Sequence, residues 1–419
     1  MVRLARIAAI AAALLAGALA GRVLWSPLPD DYVGVESNLP AVLSADGTGV
    51  AAAGVVAVAV TVALTRRRSV ALSTTVALVG LLLLALPEVV RYPSEPAVLL
   101  YSNALAAGLV LGGVSPLASR DADTQGAFAT GMIGAFLLSG AVVDLGRFGA
   151  EDGGWTAYSP LGEVESAGVV GLWPPVVAAA LVVVTGLADR RPPWSVRIDT
   201  RWLAVALALP VAAFVANWIL LQSQARPEWW YPFVGLAVVA VAWLAWRSPG
   251  ADGRVVFAGT AVLAAATGGV PHSGTEWWTL AIPAALIVVG VVVGLRWPVP
   301  VAGFVILAVT AAADLIGPDT WDVPALAYSL VLPTAAGYVV GSCLPASAPA
   351  TSVGLTLPFT AAIPGAAAAV WLIGERYRDY APVFEGQATP SLPATVVAVA
   401  VIVVCGVGAW GLDLRSGTR

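Results

Sequence analysis

Lysine is absent from this sequence of 419 residues, and all 21 basic side chains are arginine. Forked recognition of phosphate or carboxylate would favour arginine, but abundant alanine, valine and glycine accompany it, so we read the bias as one of codon usage. The single histidine, His272, excludes any site built on several imidazoles. Cys343 and Cys405 lie far apart in apolar segments, which gives neither a metal-binding spacing nor a disulfide framework. A phosphate-binding Walker loop, a Gly-x-Ser-x-Gly elbow, a zinc or haem ligand cluster and a nucleic-acid module are also missing. No cofactor, metal or nucleic-acid partner is therefore expected. Charge is scarce too, at 11% of residues, where soluble domains carry about 25%. With 59% hydrophobic residues, the chain has too little polar surface to clothe itself in water. A bilayer is the solvent that accepts such a sequence.

What is present is a succession of apolar runs. They fall at roughly 5–24, 49–65, 70–90, 97–118, 127–146, 168–188, 202–222, 229–246, 255–271, 277–295, 299–317, 323–344, 354–374 and 394–412. A spanning helix needs about 20 mostly apolar residues, so each run is expected to form one. The expected fold is all-α: a polytopic bundle of about 14 transmembrane helices forming a single integral membrane domain, 1–419. Short connections should make consecutive helices antiparallel neighbours. Pro174, Pro175, Pro210, Pro283, Pro333, Pro358 and Pro364 lie inside runs and read mostly as kinks.

Arginine placement orients the bundle. With the N-terminus inside, 15 of the 21 arginines are cytoplasmic and 19 of the 25 acids are outside. One missed helix would have scrambled that alternation, so both termini are expected in the cytoplasm of a plasma-membrane protein. Outer loops then lie near 25–48, 147–167 and 375–393, and the main cytoplasmic loop is 189–201. Arg3 and Arg6 before an Ala/Leu run also fit a signal peptide, but we read the first run as a retained helix.

Few residues suggest chemistry. The first outer loop reads Ser26-Pro27-Leu28-Pro29-Asp30-Asp31-Tyr32. An acidic pair just after the first helix resembles the first outer loop of GT-C glycosyltransferases. That resemblance implies a catalytic base or metal contact at Asp30 and Asp31, acting on polyprenyl-phosphate sugars. It covers about 15 residues, and the large polar outer region of that family is missing. The run Gly153-Gly154-Trp155-Thr156-Ala157-Tyr158-Ser159-Pro160-Leu161 is similar to an outer loop of haem-copper oxidase subunit I, whose six histidines this chain lacks. Similar loops occur in actinobacterial membrane proteins, and we read this one as an interfacial anchor. Glu228-Trp229-Trp230 and Glu276-Trp277-Trp278 recur at the outer start of two helices that end in Arg247 and Arg296. Gly186-Leu187-Ala188-Asp189-Arg190-Arg191 is similar to the cytoplasmic motif of major facilitator transporters. That motif belongs after the second helix, whereas this run follows the sixth, and we read it as coincidence.

Acids paired with arginine three residues on, as in Glu88–Arg91, Asp144–Arg147 and Glu375–Arg378, mark outer helix ends. Asp314 has no such arginine. A lone intramembrane acid suggests a proton- or cation-coupling group, helped by carbonyls freed where Gly317-Pro318 ends the helix. Asn103 and Asn217, near the outer ends of their runs, are candidates for binding or for bonds between helices.

Three functions remain. A transporter or lipid-handling permease, moving a small molecule or a lipid, ranks first because of the broken helices and short loops. A non-catalytic membrane subunit ranks second, and the GT-C-like enzyme third. Topology can be tested directly. A reporter fused after Arg68 should report cytoplasm and one fused after Gly162 the outside; the opposite signals would overturn the map.

Overall fold

In lipid a spanning segment must satisfy its own backbone, and the helix does this locally. A computed structural model describes residues 2–28, 46–90, 96–149, 169–188, 199–222, 230–250, 252–267, 278–315, 322–360 and 392–417. Among these residues there are fourteen helices and no strand. They are α1 Val2–Trp25, α2 Asp46–Arg67, α3 Val70–Val90, α4 Pro96–Ala118, α5 Ala122–Gly149, α6 Trp173–Ala188 and α7 Thr200–Gln222. The rest are α8 Trp230–Arg247, α9 Gly253–Ala266, α10 Trp278–Arg296, α11 Pro300–Ala311, α12, α13 at 348–360 and α14 Leu392–Gly417. The α12 segment runs through Asp322–Leu326, a π-helical stretch Ala327–Val331, and Leu332–Ser342. Eight helices, α1 to α5, α10, α12 and α14, are long and apolar enough to cross a membrane. The protein is thus an all-helical, multi-pass membrane protein, and each apolar run of the sequence corresponds to one helix.

Two helices start earlier than expected. α5 begins at Ala122, not near 127, and α13 at 348, not 354. In both cases the extra turn carries polar residues, Thr124 and Gln125 or Thr351 and Ser352. These are buried in protein, not exposed to lipid. Pro174 and Pro175 sit in the first turn of α6 and do not kink it, because a proline there lacks only an N–H that would be unpaired anyway. Pro210 and Pro283 do lie inside helices, and Pro364 is outside the described residues.

Leucine gains little by leaving lipid for another leucine, so membrane helices associate through close backbone approach. α1 packs most extensively on α5 and also touches α4 and α6. α4 lies between α2 and α3, and α6 closes on α3. α12 packs on α10, α14 on α9 and α11, and α5 joins the two groups by contacting α10 and α12. Small residues sit at these crossings. Gly290 and Gly294 of α10 face Gly337 and Gly341 of α12, two Gly-x-x-x-Gly ridges that seat in each other. A Cβ at Gly294 would lie 2.5 Å from the Tyr338 carbonyl oxygen. Gly259 of α9 is pressed in the same way against Gly354 of α13.

α13 is the central helix, and every residue of 348–360 is buried. Besides α9 it meets α5, where Phe359 packs edge-on against Phe136 at 5.3 Å. It also meets α2, where a Cβ on Gly54 would sit 3.0 Å from the Thr360 methyl. Large apolar side chains on the outer helices face outward: Leu236 is 67% exposed and Val309 67%, as lipid-facing residues should be.

Arg6 pairs with Asp121 and Asp123, and Arg254 with Asp413. All five belong to one side of the arginine map. The close crossings make a prediction. Gly290→Leu should cost about 1–3 kcal/mol through overpacking, because Gly290 already touches the Thr334 carbonyl. The same change at Gly235, which has nothing within 4 Å of a built Cβ, should cost little. Thermal unfolding in detergent checks the contrast.

Candidate functional site

Among the described residues, helical regularity fails from the middle of α12 to the start of α13. Pro333 cannot donate to the turn before it, and the helix passes into it through the π stretch Ala327–Val331. Such stretches recur at functional sites. Ten residues on, the helix stops. Cys343 to Ser347 is non-helical and contains a cis Leu344–Pro345 bond. Most of this short segment is buried, so its polar backbone groups need partners from elsewhere.

The partners come from two other helix ends. Gln125, in the first turns of α5, uses both ends of its amide. Its Nε2 donates to the Ala346 carbonyl at 2.7 Å, and its Oε1 accepts the Ala346 N–H at 3.1 Å. Nε2 also donates to Thr351 Oγ1 at 2.7 Å. Gln125 is 1% exposed and Thr351 1%. On the other flank Asp252, in the turn between α8 and α9, accepts hydrogen bonds from the Ser347 backbone and hydroxyl. It stands at the N-cap of α9 yet makes no side-chain bond to its own helix. Burial pushes its carboxyl pKa up, while the Ser347 bonds and the nearby Arg254 guanidinium partly oppose the rise. Arg254 Nη1 in turn holds Asp413 Oδ1 of α14 at 2.7 Å. Trp202 of α7 ties in α8, donating from Nε1 to Ser248 Oγ at 3.1 Å and to the Leu244 carbonyl at 3.2 Å.

Buried hydroxyls continue along α13. Thr351, Thr356 and Thr360 bond back to carbonyls of their own helix or of Ser347 just before it, which satisfies them locally. Ser352 Oγ is buried without a hydrogen-bond partner. Just inside the bundle, α5, α9, α12 and α13 enclose an apolar void of about 10 Å³, lined by Met132, Phe136, Val262, Val340, Leu355 and Phe359. That is room for one water at most.

The residues singled out from sequence stand apart from this place. Asp30 and Asp31 lie outside the described residues. Asn103 is 2% exposed at the other end of the bundle, where its Nδ2 donates to the Pro27 carbonyl at 2.8 Å. It ties the end of α1 to α4. Asn217 lies on α7, and Asp314 in a 3-10 turn, Ala312–Leu315, that follows α11; their side chains are outside the described set. The α-helix before Asp314 ends at Ala311, earlier than the Gly317-Pro318 stop expected from sequence. Gln125, Asp252, Ser347 and Thr351 were not anticipated. The signal available was polar residues just beyond apolar runs, which read as ordinary loop chemistry.

No family model matches the chain, and no curated protein matches it in sequence. Among solved structures it is similar to a bacterial homolog of the human lysosomal transporter Spinster, at 14% identity, covering 99% of this chain and 97% of that one, with a TM-score of 0.45. The Escherichia coli fucose:proton symporter FucP gives 13%, 96%, 98% and 0.45 in the same terms. The POT family transporter PepTSo gives 14%, 99%, 99% and 0.45. Overlap at that level assigns neither fold nor function, so the site stands on its own geometry.

Asp252 gives a prediction with a definite sign. Its pKa is raised in the folded protein, so folded molecules take up the proton before unfolded ones do. Its contribution to stability is complete below the ordinary carboxylate range and is lost as pH rises through the raised value. Wild-type protein should therefore gain thermal stability relative to Asp252→Asn as pH falls through the raised value toward the ordinary carboxylate range. A pH-independent difference between the two melting curves would refute this.

Proposed function

We propose that the protein is a transporter or a lipid-handling permease of the plasma membrane, with both termini in the cytoplasm. The observation that supports it best is the interrupted pair α12 and α13. The most buried helix of the bundle does not continue from the helix before it. It is joined to it by five non-helical residues, 343–347, held largely by side chains of α5 and of the α8–α9 turn. Discontinuous helices of this kind are where transporters place binding sites and hinges. Side-chain hydrogen bonds can be exchanged for others during a conformational change, whereas a continuous helical backbone would resist bending there. The void of about 10 Å³ fits a closed state with no room for a substrate.

In this reading Asp314 is the coupling carboxylate and Asn103 and Asn217 contribute to the outer part of the route. The substrate is a small molecule or a lipid. The alternative of a non-catalytic membrane subunit draws on the same close packing. The glycosyltransferase alternative rests on Asp30 and Asp31 by sequence resemblance alone.

The test is flux in proteoliposomes. Wild-type protein should move protons with a solute from a mixed panel, or exchange a fluorescent phospholipid between leaflets. Gln125→Leu, which leaves the Ala346 backbone groups unpaired, should reduce flux at least about tenfold, a transition-state penalty near 1.4 kcal/mol. Asp314→Asn should assemble normally and lose the pH dependence of flux. Absence of flux in every assay, with a co-purifying membrane protein, would favour the subunit reading instead.

A further inference from the structure

A buried hydroxyl on α13 is left without use by the packing of the bundle. Ser352 is 2% exposed, and its Oγ has no hydrogen-bond partner among the described residues. Thr356 and Thr360 of the same helix donate to the Ser352 carbonyl at 2.8 Å and to the Thr356 carbonyl at 3.3 Å. Ser352 makes no such bond. A buried donor without an acceptor is destabilising, and in a native interior it calls for a ligand or another reason.

The side of α13 that carries Thr356 and Thr360 turns toward α2, with Ser352 at its edge. A Cβ on Gly54 of α2 would meet the Thr360 methyl at 3.0 Å and Pro210 of α7 at 3.4 Å. Thr61 and Thr65 follow Gly54 along α2 within about 20° of the same face. Both are buried and donate to carbonyls of their own helix, Ala57 and Thr61, at 2.7 Å. The two helices are antiparallel. α13 starts beside the starts of α5 and α1, through Gln125–Thr351 and Arg6–Asp123. α2 starts instead at the end of α1, with Gly49 against Pro27. At a rise of about 1.5 Å per residue, Thr61 lies about 10 Å from Gly54 and Ser352 about 12 Å from Thr360, at one depth. Thr61, Thr65, Ser352, Thr356 and Thr360 thus line one seam.

Residues 47–65 of α2, 202–221 of α7 and 348–360 of α13 carry no charged side chain. The threonines spend their protons on their own helices and offer lone pairs to the seam, while Ser352 offers a proton. A hydroxyl group on a solute gives and takes in the same way. We propose that the α2–α13 seam recognises an uncharged small molecule bearing several hydroxyls, with Ser352 Oγ donating to it. The proposal rests on the transporter reading and names its substrate class. A carboxylate or phosphate would meet lone pairs without a cation on these three stretches, and an ammonium group would find no anion. An apolar solute would leave Ser352 unpaired. Ser352 lies about one turn beyond the break at 343–347, so movement there reaches it directly.

The test is uptake of radiolabelled erythritol into proteoliposomes, beside lactate and ethanolamine as anionic and cationic solutes of similar size. Thermal unfolding of the empty protein is the second readout. Wild-type protein should carry erythritol in preference. Ser352→Ala should lower erythritol uptake about tenfold, through loss of one hydrogen bond to the solute. The same variant should raise the melting temperature of the empty protein, because an unpaired buried hydroxyl is removed. Thr395→Val, which deletes another unpaired buried hydroxyl, on α14, should raise the melting temperature too and leave uptake unchanged. Wild-type uptake by Ser352→Ala, or equal loss in both variants, would overturn the proposal. Uptake of lactate or ethanolamine without erythritol, or phospholipid exchange without uptake of any of the three, would overturn it and leave the transporter reading standing. Absence of all flux would overturn both.

Discussion

The structure depends on how near two helix backbones can come inside a bilayer. Exchanging lipid for protein gains an apolar side chain almost nothing, so affinity between helices comes from dense packing and from hydrogen bonds. Glycine permits the closest approach, and it occupies the main crossings: Gly17 and Gly131 between α1 and α5, the ridges of α10 and α12, and the Gly259–Gly354 contact of α9 with α13. At such distances Cα–H groups sit against facing carbonyls, a weak attraction that adds up along a ridge. A side chain larger than hydrogen at these points would separate the helices by more than the length of a hydrogen bond can absorb.

That precision is what makes the polar end of the bundle possible. Gln125 reaches Ala346 at 2.7 and 3.1 Å only because α5 and α12 are held in place over several turns first. The energetic argument runs in both directions. An unpaired backbone group buried at 343–347 would cost about 1–3 kcal/mol, so the segment is tolerable only with its clasps made. Yet each clasp is a side chain, and a side chain can rotate away and be replaced by another donor or by water. The break is thus stable when closed and has no continuous helix to unwind on opening.

The helical architecture was legible because lipid imposes a single rule: a run of about 20 apolar residues must satisfy its backbone internally. Fourteen runs read from hydrophobicity became fourteen helices. The arginine alternation placed Arg254 and Asp413 on one side, and they meet at 2.7 Å. Errors fell where protein replaces lipid as the solvent. Thr351 and Ser352 looked like the edge of a loop because a lipid-facing helix would not carry them, but α13 is surrounded by other helices. The Gly-x-x-x-Gly ridges at 290–294 and 337–341 were written in the sequence as a packing signal, and their pairing could not be read without knowing which helices touch. The polar clasp was harder still. Gln125 and Ala346 are separated by 221 positions, and nothing local to either residue points to the other.

The two clasps differ in a way that bears on motion. The Gln125 amide has no proton to gain or lose across the physiological range, so its grip on Ala346 and Thr351 is indifferent to pH. The Asp252 carboxylate does titrate, and burial already shifts it toward its neutral form. A neutral carboxyl is a poorer acceptor for the Ser347 N–H and hydroxyl, and it loses its attraction to Arg254. Burial outweighs those losses, so protonation favours the closed tie, while ionisation favours wetting and release on the α8–α9 side and leaves the tie to α5 intact. The start of α13 would then stay with α5 and part from the α8–α9 turn, which gives the bundle a preferred line of separation. The Gly259–Gly354 contact lies on that same side, between α9 and α13. It has no side chains to interlock, so two smooth surfaces meet where the titratable tie is.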